Sequence, residues 1–145
     1  MAAAQSASGG KPRVLLAARP VATGPFRAAI GASADIIEAN TMSSAVAALK
    51  AKPPVHLVCC TLYFDDSRMF DLLDWVRAQR PELPFVCGRA LAKDLTRSAV
   101  ETARVAAETR GATRFVDYPD MLESLGEVKA RERLRRILLG EILIG

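Results

Sequence analysis

Three features of the sequence predict an α/β protein built on a parallel sheet with helices on both faces. Five short apolar runs are spaced along the chain, each without the polar alternation of a half-exposed strand. Helical patterns separate one run from the next. At 145 residues the chain is long enough for one domain with a sizeable core.

In chain order, RVLLAA (13–18) predicts the first strand, and Pro25 to Ile30 a short helix with Pro25 suited to its first turn. ADIIEA (34–39) is the second strand. SSAVAALKA (43–51) follows as a helix with Ala45, Val46 and Leu49 on one face, stopping before Pro53 and Pro54. VHLVCC (55–60) is the third strand, and SRMFDLLDWVRAQR (67–80) a helix with Met69, Leu72, Leu73 and Val76 on one stripe. PFVCG (84–88) is the fourth strand, followed by the Ala-rich helix KDLTRSAVETARVAAETR (93–110) with Gly111 as its stop. TRFVD (113–117) is the fifth strand, and DMLESLGEVKARERLRRILL (120–139) the last and longest helix. The expected organisation is a disordered tail over 1–11, one domain over 12–139 without internal repeats or a linker, and an apolar C-terminal extension over 140–145.

Composition narrows the function classes. Half of the residues are hydrophobic and a quarter charged, and the mean hydropathy is +0.14. No apolar run approaches the roughly 20 residues of a membrane span, and the first ten residues lack the charged start and apolar centre of a secretory signal. The net charge of +4 is interspersed, so nucleic acid is not the expected partner. An odd set of three cysteines, Cys59, Cys60 and Cys87, all in apolar runs, points to a reducing compartment, and the expected location is cytoplasmic. They have no metal-ligand spacing, so they read as small hydrophobes.

His56, the one histidine, falls at the start of a strand, away from the edge where open α/β sheets bind ligands, and reads as structural. No glycine-rich phosphate motif is present. The last helix carries Lys129, Arg131, Arg133, Arg135 and Arg136. Pairing of Glu127 with Arg131 and of Glu132 with Arg136 is expected to make it a solvated face.

The segments ADIIEANTMSSAVAAL, VHLVCCTLYFDDSRMFDLLDWVRAQRPELPFVCGRA and GATRFVDYPDML resemble the receiver domain of bacterial response regulators, across about residues 12–139. The resemblance implies a flavodoxin-like five-stranded parallel sheet of order 2-1-3-4-5. It also implies a working site: an acidic pair holding Mg²⁺ after the first strand, a phosphoacceptor Asp after the third, Ser or Thr after the fourth, and Lys before a proline after the fifth. The matching residues are Ala17 and Ala18, Thr61, Arg89 and Tyr118, and only Pro119 is kept. Alanines supply no oxygen ligand for Mg²⁺, and a threonine is not the carboxylate nucleophile that an aspartyl-phosphate requires.

The chain is therefore expected to be a degenerate receiver, not an enzyme, without a cofactor or metal. Arg19 and Arg89 are expected to replace the metal by pairing with Asp65, Asp66 or Asp117 in largely exposed ion pairs. Asp65 and Asp66 themselves read as loop, with Asp66 or Ser67 capping the third helix; a displaced phosphoacceptor is the alternative. The resemblance further implies a cis bond at Tyr118–Pro119. The apolar end, with Leu134, Ile137, Leu138, Ile142, Leu143 and Ile144, is expected to face a protein partner, a second copy of the chain included, the alternative being packing onto its own domain. The function that follows is a protein-interaction module in bacterial signalling, with its output passing through a partner. The alternatives are a small-molecule or redox sensor using Arg19, Arg89 and Tyr118 as contacts, and a nucleic-acid regulator using the basic last helix.

Overall fold

The computed structural model describes residues 10–91 and 95–144. Five strands, β1 (Arg13–Ala17), β2 (Asp35–Ala39), β3 (Leu57–Thr61), β4 (Phe85–Arg89) and β5 (Arg114–Asp117), form one sheet. Every pairing is parallel and the spatial order is β2-β1-β3-β4-β5. This is the expected flavodoxin-like order.

The period of two along each strand distributes the sheet between two cores. Val14 and Leu16 of β1, Leu57 and Cys59 of β3 and Val86 of β4 face one layer; Leu15, Ala17, Val58, Cys60, Phe85 and Cys87 face the other. Helix α1 (Gly24–Ile30) covers the first layer together with α6 (Glu127–Ile144). Helices α2 (Met42–Lys50), α3 (Met69–Gln79) and α4 (Arg97–Thr109) cover the second. The predicted stripe Met69, Leu72, Leu73 and Val76 is buried as a unit on α3. Of α4, only Ala107 is buried.

The long last helix expected over 120–139 is two helices. A short α5 (Tyr118–Leu125) precedes α6, and the chain turns between them at Gly126, whose φ of +82° disfavours any residue with a Cβ. α6 then runs without a break past residue 139, so 140–144 is no separate extension. Leu134 and Leu138, expected at a partner interface, are fully buried against α1 and the sheet. Ile137 and Ile142 pack on the same cluster. Glu141 is buried among them because its carboxylate accepts from Arg114 Nε of β5 at 3.1 Å. The side chains of Leu143 and Ile144, and the tail up to position 9, lie outside the described residues. The alternative weighed for this segment, packing onto its own domain, is what the described part of it does.

The expected pairs Glu127–Arg131 and Glu132–Arg136 do not form among the described residues. Arg135 instead reaches across to Ser33 Oγ at 2.6 Å, tying α6 to the turn after α1. No helix among the described residues is long and apolar enough to cross a membrane.

Candidate functional site at the C-terminal edge of the sheet

Parallel pairing aligns the strand ends, so the residues at those ends become neighbours. Ala17 lies opposite Cys60, Thr61 opposite Gly88, and Arg89 opposite Asp117. Gly88 suits this close packing: a Cβ there would come within 3.1 Å of Val116 Cγ2, so that side chain would have to shift by a few tenths of an ångström. Four of the strands, β1, β3, β4 and β5, thus bring Ala17, Ala18, Thr61, Arg89 and Asp117 to one edge.

Ala17 and Ala18 are fully buried, one facing each core layer. The carbonyl of Ala18 accepts from Asn40 Nδ2 at 2.8 Å, and the same amide donates to Glu38 Oε2 at 3.0 Å. Arg27 donates to Glu38 Oε1 at 2.7 Å. These two contacts, Arg27's first, hold the Glu38 carboxyl below the usual carboxylate range.

Arg89 donates through Nη1 to both oxygens of Asp117, at 3.0 and 3.2 Å. The expected ion pair at this edge is therefore present, but it is partly buried, with 15% and 23% of the two side chains exposed, instead of largely exposed. Adjacency in the strand register explains its shielding. Asp117 Oδ1 also accepts the Asp120 N–H at 3.3 Å and so caps α5.

Arg19 finds no carboxylate among the described residues; its guanidinium lies over the Tyr63 ring, 5.5 Å from the centroid. Asp65 turns to α2 instead, accepting the Met42 N–H at 2.7 Å, with Arg68 at 4.0 Å. Asp66 is exposed and unpaired among the described residues. Neither Asp66 nor Ser67 caps α3, whose N-cap is Arg68 without a side-chain cap. The physical reason is the backbone: Asp65, Asp66 and Ser67 all have left-handed φ values of +43°, +57° and +66°, outside the extended geometry a capping residue adopts.

The loop after β5 also differs from the expectation. The cis peptide bond among the described residues is Lys52–Pro53, so Tyr118–Pro119 is trans. β5 passes directly into α5 with Pro119 in the first helical turn, where a trans bond and a helical φ are needed. Tyr118 consequently turns into the α1/α6 core and does not line the strand-end cavity.

That cavity has a volume of about 10 Å³, space for about one water, and is lined by Arg19, Ala22, Thr61, Leu62, Tyr63, Arg89, Ala90 and Leu91. Arg19 Nε, Thr61 Oγ1 and Arg89 Nε are each buried without a hydrogen-bond partner. Sequence reasoning pointed to Arg19, Thr61 and Arg89 but missed Tyr63 and Asn40, whose contacts depend on loops without a periodic signal. The residues do not fit a divalent cation: Ala17 and Ala18 supply no oxygen ligand, Thr61 supplies one hydroxyl, and two guanidinium groups add positive charge. Among the described residues no group of three or more His, Cys, Asp or Glu side chains could hold a metal ion.

Other candidate chemistry lies elsewhere. His56 Nδ1 accepts the Arg13 N–H at 3.0 Å, at the opposite edge of the sheet. The three thiols are buried, and burial pushes Cys59 and Cys60 well up and Cys87 up to about 12. A wide groove of about 770 Å³ runs between α4 and α5 over β5, lined by Arg89, Arg97, Val100, Arg104, Phe115 and Glu123 among others.

No family model matches the sequence, and no curated protein is similar to it. Solved structures are similar in fold. A CheY-like response regulator receiver domain protein from Methanospirillum hungatei JF-1 superposes with a TM-score of 0.62 at 16% identity, over 94% of this chain and all of that one. An orphan response regulator of H. pylori gives 0.65 at 12% identity, over 92% and 98%. NtrX from Brucella abortus gives 0.63 at 20% identity over 93% of this chain, which spans only 28% of NtrX. The chain has the receiver fold.

Proposed function

We propose that this chain is a pseudo-receiver: a protein-interaction module of bacterial signal transduction that acts without phosphorylation of an aspartate. One observation carries the reading. The strand ends that hold acid residues in a working receiver hold Ala17, Ala18 and Thr61 here, under the positive charge of Arg19 and Arg89. At these three positions there is no carboxylate to accept a phosphoryl group and no oxygen cluster to hold Mg²⁺, and the Asp117 carboxylate of the same edge is paired with Arg89. The module is not an enzyme, works in the cytoplasm, and passes its output to a protein partner, a second copy included.

The surface that suits a partner is the face of α4, β5 and α5. α4 buries one side chain and leaves Val105 about half exposed, and Leu122 of α5 is exposed. The sensor alternative is not favoured, because a small-molecule site needs roughly 300 Å³ or more and the strand-end cavity has about 10 Å³. The nucleic-acid alternative gains one observation, since Lys129, Arg131, Arg133 and Arg136 are unpaired among the described residues. Binding that weakens steeply with salt would promote it.

Sedimentation velocity at micromolar concentration, with and without Mg²⁺ and a small phosphodonor, tests the reading. Association that is the same in both conditions, and reduced by Val105→Arg, is expected. Association that requires the phosphodonor would overturn it.

A further inference from the structure

Glycine in the interior of a helix lowers stability relative to alanine, so it is kept where the backbone or a close neighbour requires it. Gly140 of α6 meets neither need within the described residues. Its φ is not left-handed, and a Cβ there would meet nothing within 4 Å. The missing side chain leaves a concave face. Two hollows of about 320 and 470 Å³ meet at Gly140 and Arg136, one lined by Ile137 and the other by Leu139.

Helical spacing sets the charge of that face. Lys129, Arg133, Arg136 and Gly140 follow one another at intervals of four, three and four residues, and so lie along one side of α6. Lys129, Arg133 and Arg136 have no ion pair among the described residues. Arg114, at the start of β5, is already neutralised by Glu141 at 3.1 Å. Glu132, which lines the second hollow, is not paired with Arg136 and offsets only part of the charge. The face is cationic with apolar walls.

That combination selects the occupant. The phosphates of a nucleic acid would use the cations, but they have no use for Ile137, Leu139 or a bare backbone at Gly140. A second copy would set these arginines against themselves, because a two-fold contact places one patch on its own image. An amphipathic helix bearing carboxylates fits all the features: its backbone approaches at Gly140, its apolar side chains enter the hollows, and its carboxylates meet the cations. We propose that this side of α6 docks an acidic amphipathic helix of another protein. The site lies apart from Val105 on α4, and it does not depend on whether an aspartate is phosphorylated.

The test is fluorescence anisotropy of a labelled synthetic helix with glutamates on one stripe and leucines on the next, titrated with the full chain. A scrambled peptide of the same composition and a short DNA duplex are the comparisons. Saturable binding of the helix is expected, about tenfold or more tighter than either comparison and weaker as salt rises. Arg133→Glu with Arg136→Glu should weaken it about tenfold or more. Gly140→Leu should weaken it as much while raising Tm by about 2–4 °C, because leucine is the better helix former and has room. Val105→Arg should leave binding unchanged. Binding that survives Gly140→Leu, no preference over the scrambled peptide, or a Tm lowered by Gly140→Leu would overturn the proposal. Loss of binding in Val105→Arg would overturn it by placing the helix on α4. Tighter binding of the duplex would overturn it in favour of a nucleic acid, and self-association abolished by the two arginine substitutions in favour of a second copy.

Discussion

Replacing Thr61 by aspartate is the substitution that discriminates most sharply between a cationic strand edge and a neutral one. Thr61 is 3% exposed, and its neighbours across the cavity are Arg19 and Arg89. Aspartate is larger than threonine by one heavy atom, which the cavity of about 10 Å³ can take. In a neutral site a buried carboxylate would lower stability by several kcal/mol. Here it meets two guanidinium N–H groups that have no other acceptor, and each such donor left unpaired carries a penalty of about 1–3 kcal/mol. The two effects nearly cancel, so Thr61→Asp is expected to lie within about 1 kcal/mol of the parent protein at pH 7. Adding Arg19→Met should then be far more damaging in the Thr61→Asp background than alone, with a coupling of about 2 kcal/mol. Urea unfolding followed by far-ultraviolet circular dichroism measures all four proteins. A loss above about 3 kcal/mol for Thr61→Asp alone, or additive effects of the two substitutions, would refute the reasoning.

The C-terminal helix is expected to belong to the fold: Leu138→Ala should lower stability by about 2–5 kcal/mol in urea unfolding, and Ile142→Asp should destabilise the monomer instead of dissociating an oligomer. Acid sensitivity should shift at Glu38. Its carboxyl is held low by Arg27 and Asn40, so its contribution is complete above the ordinary carboxylate pKa of about 4.3 and is lost as pH falls through the lowered folded value. Glu38→Gln should flatten the stability profile in that acid range, as read by unfolding at a series of pH values. Ser67→Gly should stabilise by about 0.5–1 kcal/mol in thermal melts, because its φ of +66° strains a residue with a Cβ.

The sheet was legible because strands buried on both faces leave an unmistakable mark: RVLLAA and VHLVCC have no polar position to interrupt them. The order of strands came from the family resemblance and not from periodicity. The alignment of Thr61, Arg89 and Asp117 at one edge followed from that order, and so did the Arg89–Asp117 pair. What escaped were features that depend on tertiary choice. Gly126 sits inside a pattern that is helical on both sides, and only the packing of Ala130, Leu134 and Leu138 onto α1 shows that the chain must turn there. Asp65 satisfies a helix 23 residues earlier in the chain, beyond any local capping rule. Tyr118 read as a site residue because it precedes a proline, yet the direct passage of β5 into α5 sends it to the core. The glutamates of α6 had arginines at helical spacing, but spacing permits an ion pair without compelling it.

The proposal that an edge carrying Ala17, Ala18 and Thr61 accepts no phosphoryl group is tested by incubating the protein with Mg²⁺ and acetyl phosphate and weighing it intact by mass spectrometry. The expected spectrum holds the unmodified mass alone, at every time and donor concentration. A stoichiometric gain of one phosphoryl group, mapped to Asp65 or Asp66, would contradict the pseudo-receiver reading.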